Sequence, residues 1–416
     1  MSSRSLLAIV AAAGLLLVCI LAGGIIFWLM RPQSTPAVII AVSTSIPTAN
    51  PTPPTATPRP TVTRVPTPDE PPTPPPTATQ PPTSPPRTDT AEPTPTPWQM
   101  ALREDLPPLA LPDWPRPVGD NGWGMHFLAS QYYTPEEVDR QIARLKEVNI
   151  KWSLVIYGDE NMLHIAAPRF RDAGITVVWR RMLRASDPYY DWGRDIGILN
   201  EYGMPPYMQL YNEPNLPIEW DEGGPDIDDY LPDFLQAVQD VYNAGGYVGL
   251  QFVRPDWLMA ALDALKRHGG ERAFGRMFFI PHPYGLNHPP EYDADVNAVL
   301  GFLPYAAVFE REIGFVPPMI AGEGGWAIGS DHDANFPKVT EELQRDYYVA
   351  LFSMFQTGTM PNGDALPDYF FAFCPWLLSD FMDSTAFYDS YAGPRTLTIE
   401  ALKAIPPFER QFSWSR

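Results

Sequence analysis

Tyr207-Met208-Gln209-Leu210-Tyr211-Asn212-Glu213-Pro214-Asn215 is an apolar run that stops abruptly on an amide and an acid. A short aliphatic and aromatic run closed by a proline has the pattern of a buried strand. Pro318-Met319-Ile320-Ala321-Gly322-Glu323-Gly324-Gly325-Trp326 repeats the form: apolar residues, then a glutamate, then glycines. Working outward, similar runs occupy 122–128, 152–157 and 175–179 before the first stretch, 247–253 and 277–280 between the two, and 369–373 after the second. Amphipathic segments separate most of them. One opens with Thr134-Pro135-Glu136-Glu137, a capping threonine, a proline at the first helical position and acids in the first turn. Others cover about 160–173, 227–243, 255–268, 293–312 and 340–356, with a last one from about 398. Strands alternating with helices force parallel pairing with right-handed crossovers. Eight such units predict an α/β fold of the (β/α)8 TIM-barrel class.

In such a barrel the residues that end strands gather at one rim, where sites are built. The strand ends here are His126, Arg180, Asn212 with Glu213, His282 with Tyr284, Glu323 with Trp326, and Trp376. Two carboxylates facing each other across a groove can cut a glycosidic bond. Amides and imidazoles bind hydroxyls, and flat aromatic faces cover the apolar faces of sugar rings. Further tryptophans (Trp123, Trp152, Trp179, Trp192, Trp220) and tyrosines (Tyr132, Tyr133, Tyr189, Tyr190) are candidates for lining subsites. His126 is equally readable as a packing residue, and His282, between two prolines, as a turn residue.

The chain has 416 residues, and composition divides it. After a short tail, 1–5, residues 6–30 contain no charge, long enough for a single transmembrane helix. A cleaved secretion signal has a shorter apolar core. Residues 31–97 include 22 prolines among 67 positions, a Pro/Thr-rich stalk expected to stay extended and disordered. Residues 98–416 are then the barrel domain. Of the chain's 49 acidic and 29 basic residues, 45 and 24 fall in this part, a balance of −21. Nucleic acid is therefore an unsuitable partner. The expected arrangement is a membrane anchor with the barrel outside the cell. The two cysteines, Cys19 and Cys374, offer no disulfide framework. Asp331-His332-Asp333 matches no standard metal spacing and reads as a polar loop. No phosphate loop, nucleophile-elbow serine or Cys-x-x-Cys occurs, so no cofactor and no metal are implied.

Asn-Glu-Pro at the end of strand four, His-x-Tyr at the end of strand six, a Glu ending strand seven and a Trp ending strand eight resemble the large clan of retaining TIM-barrel glycosidases that includes cellulases, mannanases, xylosidases and β-galactosidases. The resemblance spans about residues 120–410. It implies a glycoside hydrolase acting on a carbohydrate substrate, with Glu213 as acid/base and Glu323 as nucleophile. It also implies that Asn212 holds the sugar's 2-hydroxyl, that Tyr284 hydrogen-bonds Glu323, and that His282 and Trp376 line the subsite at the cut. The chain departs from the clan at strand two, which offers Lys151 and Tyr157 where many members carry an arginine. Arg180, ending strand three, is a candidate replacement beside the nucleophile. A transglycosylase and a non-catalytic sugar-binding barrel displayed on a stalk remain alternative readings.

Overall fold

Eight strands form one parallel sheet in sequence order: β1 (Gly124–His126), β2 (Trp152–Tyr157), β3 (Thr176–Arg181), β4 (Tyr207–Gln209), β5 (Tyr247–Leu250), β6 (Met277–Phe279), β7 (Met319–Ala321) and β8 (Phe370–Phe373). The structure is a computed structural model and describes residues 98–221 and 223–415. The sheet closes on itself through a parallel bridge between Trp123 and Phe373, and the His126 amide donates to Pro375 O at 3.0 Å. One helix follows each strand: α1 (Pro135–Glu147), α2 (Glu160–Ala173), α3 (Gly193–Glu201), α4 (Ile227–Asn243), α5 (Pro255–Arg267), α6 (Phe302–Ile313), α7 (Glu341–Thr357) and α8 (Thr396–Lys403). This is the expected (β/α)8 barrel. The expected membrane span at 6–30 and the stalk at 31–97 lie outside the described residues. Among those described, no helix is long and apolar enough to cross a membrane.

Local chemistry sets most boundaries. Thr134 Oγ1 accepts the Glu137 amide at 3.2 Å and starts α1, as its sequence predicts. Asp159, Asp226 and Thr340 cap α2, α4 and α7 in the same way. Two segments differ from the sequence reading. α3 has no side-chain cap and carries Gly193 and Gly197, so its pattern gives little helical signal. The helix expected over 293–312 begins only at Phe302. Ahead of it the chain turns tightly, and a Cβ on Gly301 would fall 2.2 Å from Val296 O.

Strand alternation sorts residues between two cores. Trp152, Leu154 and Ile156 of β2, Val178 of β3, Tyr207 of β4, Phe278 and Ile280 at β6, and Phe371 of β8 fill the barrel interior. Val155, Val177, Trp179, Met208, Phe279 and Phe373 point outward into the layer beneath the helices. Burying each such side chain stabilises the fold by about 1.5–3 kcal/mol. The ends of the chain's described part close the bottom of the barrel. Trp114 lies 5.0 Å from Tyr247 and 5.9 Å from Tyr207 between ring centroids, and Phe412 lies 6.1 Å from Phe371. At the opposite end, continuing the same inward alternation, the residues are polar: His126, Arg180, Gln209, Gln251 and His282 are all buried. An apolar plug with a polar top layer faces only one way, and the site follows from it.

Candidate active site

β4 ends where Gln209 Nε2 donates to Asn212 Oδ1 at 3.2 Å. The next residue, Glu213, has φ of +38°, a left-handed backbone that a side-chain-bearing residue adopts at some cost. Its amide donates to Gln251 Oε1 from the end of β5, and Val253 N donates to Asn215 Oδ1 at 3.1 Å. Strained backbone held from a neighbouring strand aims the carboxylate over the barrel mouth. Across the mouth, Glu323 is set by the two glycines after it. Gly324 has φ of +139° and Gly325 φ of +90°; a Cβ would meet Pro283 O at 2.6 Å in the first case and Tyr348 OH at 2.1 Å in the second. Only glycine lets the β7 loop pass this close to the β6 loop at Gly324 and to α7 at Gly325.

The two glutamates meet. One oxygen of each, together with a ring nitrogen of His282, all lie within 4.8 Å of one another. His282 Nδ1 is 2.8 Å from Glu213 Oε1 and 3.7 Å from Glu323 Oε2. Arg180 Nη1 donates to Glu323 Oε1 at 2.7 Å, and Tyr284 OH donates to Glu323 Oε2 at 2.5 Å. Burial works to raise the Glu323 carboxyl, but the His282 imidazole and the Arg180 guanidinium, with His126 and the Tyr284 hydroxyl, outweigh it and bring it down to about 2. Burial pushes the Tyr284 hydroxyl well up, and the Glu323 and Glu213 charges reinforce this, so it stays a donor. Arg180 thus stands beside Glu323, where strand two offers no cation.

His126 is fully buried, and neither of its ring nitrogens has a hydrogen-bond partner among the described residues. Desolvation lowers its pKa to about 3, opposed by Glu323 and aided by Arg180 and His282, so the ring is neutral at pH 7. Its ring lies 4.3 Å from that of Trp376, which remains partly exposed and donates Nε1 to Asp383 Oδ2 at 2.6 Å. The peptide between Trp376 and Leu377 is cis. His126, Arg180, Asn212, Glu213, His282, Tyr284, Glu323 and Trp376 therefore form one constellation.

Trp326 does not join them. It is buried behind the rim, its Nε1 donating to His288 O at 2.8 Å and its ring covered by Tyr347 and Tyr348. Gly285 leaves the room it fills. Trp123, Trp152, Trp179 and Trp192 are fully buried too and line no subsite; Trp152 is inside the barrel and the others lie under the helices. Asp333 ties loops: its amide donates to Asn287 Oδ1 at 2.9 Å and its carboxylate sits 3.2 Å from His288 Nε2.

Sequence reading missed Glu219. Its Oε1 accepts Asn212 Nδ2 at 2.9 Å. Burial pushes its carboxyl up, Arg180 and the Asn212 amide pull it down, and Glu213 and Glu323 push it up again. The available signal was an acid between Ile218 and Trp220 on the Asn-Glu-Pro loop. Glu213, His282 and Glu323 are close enough to share a divalent cation. Arg180 and Tyr284 already engage both oxygens of Glu323, and the guanidinium would repel a second cation there.

No family model and no curated protein matches the chain. Solved structures similar to it include β-glucuronidase 2 of Bacteroides uniformis (14% identity, TM-score 0.43, covering 70% of this chain and 37% of that one). Others are the β-1,3-glucanase and allergen CJP38 of Cryptomeria japonica pollen (14%, 0.39, 71% and 99%) and the family 51 α-L-arabinofuranosidase AbfB of Bifidobacterium longum (11%, 0.39, 73% and 75%). A D-allulose 3-epimerase from Methylomonas sp. scores in the same range (9%, 0.40, 70% and 98%). The chain thus spans little more than a third of that β-glucuronidase. Likeness at this level does not reach to a reaction.

Proposed function

We propose that this protein is a retaining O-glycoside hydrolase acting on an oligosaccharide or polysaccharide. The observation that carries the reading is the pairing of Glu213 and Glu323, with carboxylate oxygens within 4.8 Å and unlike surroundings. Retaining enzymes hold their two carboxyls about 5–5.5 Å apart, whereas inverting ones need about 6.5–9.5 Å to admit water. Glu323, kept ionised by His282, Arg180 and Tyr284, attacks the anomeric carbon. Glu213 gives a proton to the leaving oxygen, then takes one from the water that releases the sugar. Asn212, His282, His126 and the open part of Trp376 line the subsite at the cut. With the apolar segment at 6–30 and the proline-rich segment at 31–97, the reading is an extracellular enzyme on a stalk.

The test is release of aryl alcohol from a panel of aryl glycosides by the full chain. Glu323→Gln should abolish release with the fold intact. Glu213→Ala should regain turnover with azide and yield a glycosyl azide of retained configuration. Full activity in Glu323→Gln ends the nucleophile assignment. Sugar binding without release by the wild type leaves only a binding module, and sugar-extended products would make it a transglycosylase.

A further inference from the structure

The β4 loop brings a third carboxylate to the rim that the reaction above does not use. Glu219 ends the short 3-10 turn Pro217–Glu219. Its carbonyl accepts Ala185 N at 2.9 Å, and Trp220 Nε1 donates to Pro214 O at 2.7 Å, so the loop is tied to β3's loop and to itself. Oε1 accepts the Asn212 amide; Oε2 makes no hydrogen bond among the described residues. Gln209, Asn212 and Glu219 form a directed chain that leaves this second oxygen as its unfilled end.

Around it the charges do not balance. Three acids, Glu213, Glu219 and Glu323, face one guanidinium, Arg180, bonded to Glu323, and one imidazole, His282, 2.8 Å from Glu213. Arg181 is turned outward, 3.5 Å from Asp195. An independent observation points to the missing ligand. Both ring nitrogens of His126 and Nε2 of His282 are buried without a partner among the described residues, beside the same Glu323. Buried polar atoms left unpaired are costly, and here they surround the proposed reaction centre. Imidazole nitrogens and an open carboxylate oxygen are satisfied together by hydroxyls, which both donate and accept. A carboxylate on the ligand would meet excess negative charge, with Arg180 already engaged.

Resting on the glycosidase reading, we propose that Glu219 is a specificity-determining residue that selects an uncharged sugar and rejects a uronate beside Glu213 and Glu323, its free oxygen accepting a sugar hydroxyl. The experiment compares wild type with Glu219→Gln, which keeps an oxygen for Asn212 and removes the charge. kcat/KM is measured at pH 7 on aryl glucoside and galactoside and on the matching glucuronide and galacturonide. Calorimetric binding of the free hexoses and hexuronates runs alongside.

Wild type should favour the neutral sugar. Glu219→Gln should narrow that preference about tenfold to a hundredfold, the effect of one unit charge at roughly 6–10 Å in a partly desolvated pocket, chiefly through the uronate's KM. Glu219→Ser should narrow it likewise and stands in if the glutamine variant fails to fold. Turnover with an unchanged ratio overturns the Glu219 assignment and leaves the glycosidase reading intact. Absence of turnover, with binding preference narrowed by the same factor, overturns the glycosidase reading and leaves the assignment. Absence of both turnover and binding overturns the assignment.

Discussion

Replacing Arg180 by methionine is the sharpest perturbation of this site. Its Nη1 lies 2.7 Å from Glu323 Oε1, and both side chains are only 8% exposed. Taking the charge centres as about 4 Å apart at an effective dielectric near 20, the pair is worth about 4 kcal/mol, or about 3 pH units on Glu323. The carboxyl should therefore move from about 2 to the ordinary carboxylate range or above it. The sign follows from linkage. In wild type the folded value lies below the unfolded 4.5, so Glu323 stabilises the fold above pH 4.5 and that contribution disappears as pH falls through 2. In Arg180→Met it is absent at neutral pH, and removing one partner of a buried ion pair costs about 3–5 kcal/mol. Thermal unfolding across pH 3–8 should show a melting-temperature gap of several degrees at pH 7 that closes toward pH 3. The acid limb of kcat/KM on an aryl glycoside should rise into the pH 4–5 region, because that profile reports the free enzyme's essential groups. A gap independent of pH, together with an unmoved acid limb, would refute the claim that Arg180 holds Glu323 ionised.

Tyr284→Phe removes the 2.5 Å hydrogen bond to Glu323 and should lower kcat/KM about tenfold to a hundredfold, as expected for a bond to a charged acceptor; steady-state kinetics check it. His126→Gln should reduce acid sensitivity. The His126 value of about 3 lies below the unfolded 6.5, so wild type loses stability by up to about 1.4 kcal/mol per pH unit as pH falls through that window, and denaturant melts at pH 4, 5 and 6 should show a shallower slope in the variant. Gly325→Ala should destabilise by about 2–4 kcal/mol, since it adds left-handed strain to a 2.1 Å clash with Tyr348 OH. Gly363→Ala, at φ +95° with open space around its Cβ position, should cost about 1 kcal/mol, and equal losses in chemical denaturation would remove the packing argument.

The sequence by itself determined the barrel and the places where chemistry concentrates. Strand period, capping at Thr134 and the eightfold alternation are local, so they survive without knowledge of neighbours. The same pattern put Glu213, His282, Tyr284 and Glu323 at strand ends, because charge that interrupts an apolar run has to emerge at a rim. Where the signal was weak, as in the uncapped and glycine-bearing α3, the element was not legible. Only tertiary structure decided which rim residues share a pocket. Register pairs Arg180 with Gln209 and turns its neighbour Arg181 outward, so one arginine reaches Glu323 and the other Asp195. The close passage of the β6 and β7 loops sends Trp326 beneath the surface, although it lies only three positions beyond Glu323. The β4 loop folds back to bring Glu219 onto Asn212. Periodicity along a chain fixes which face a side chain takes; distance across a barrel mouth depends on how loops of unlike length and composition pack against each other, and no local pattern encodes that.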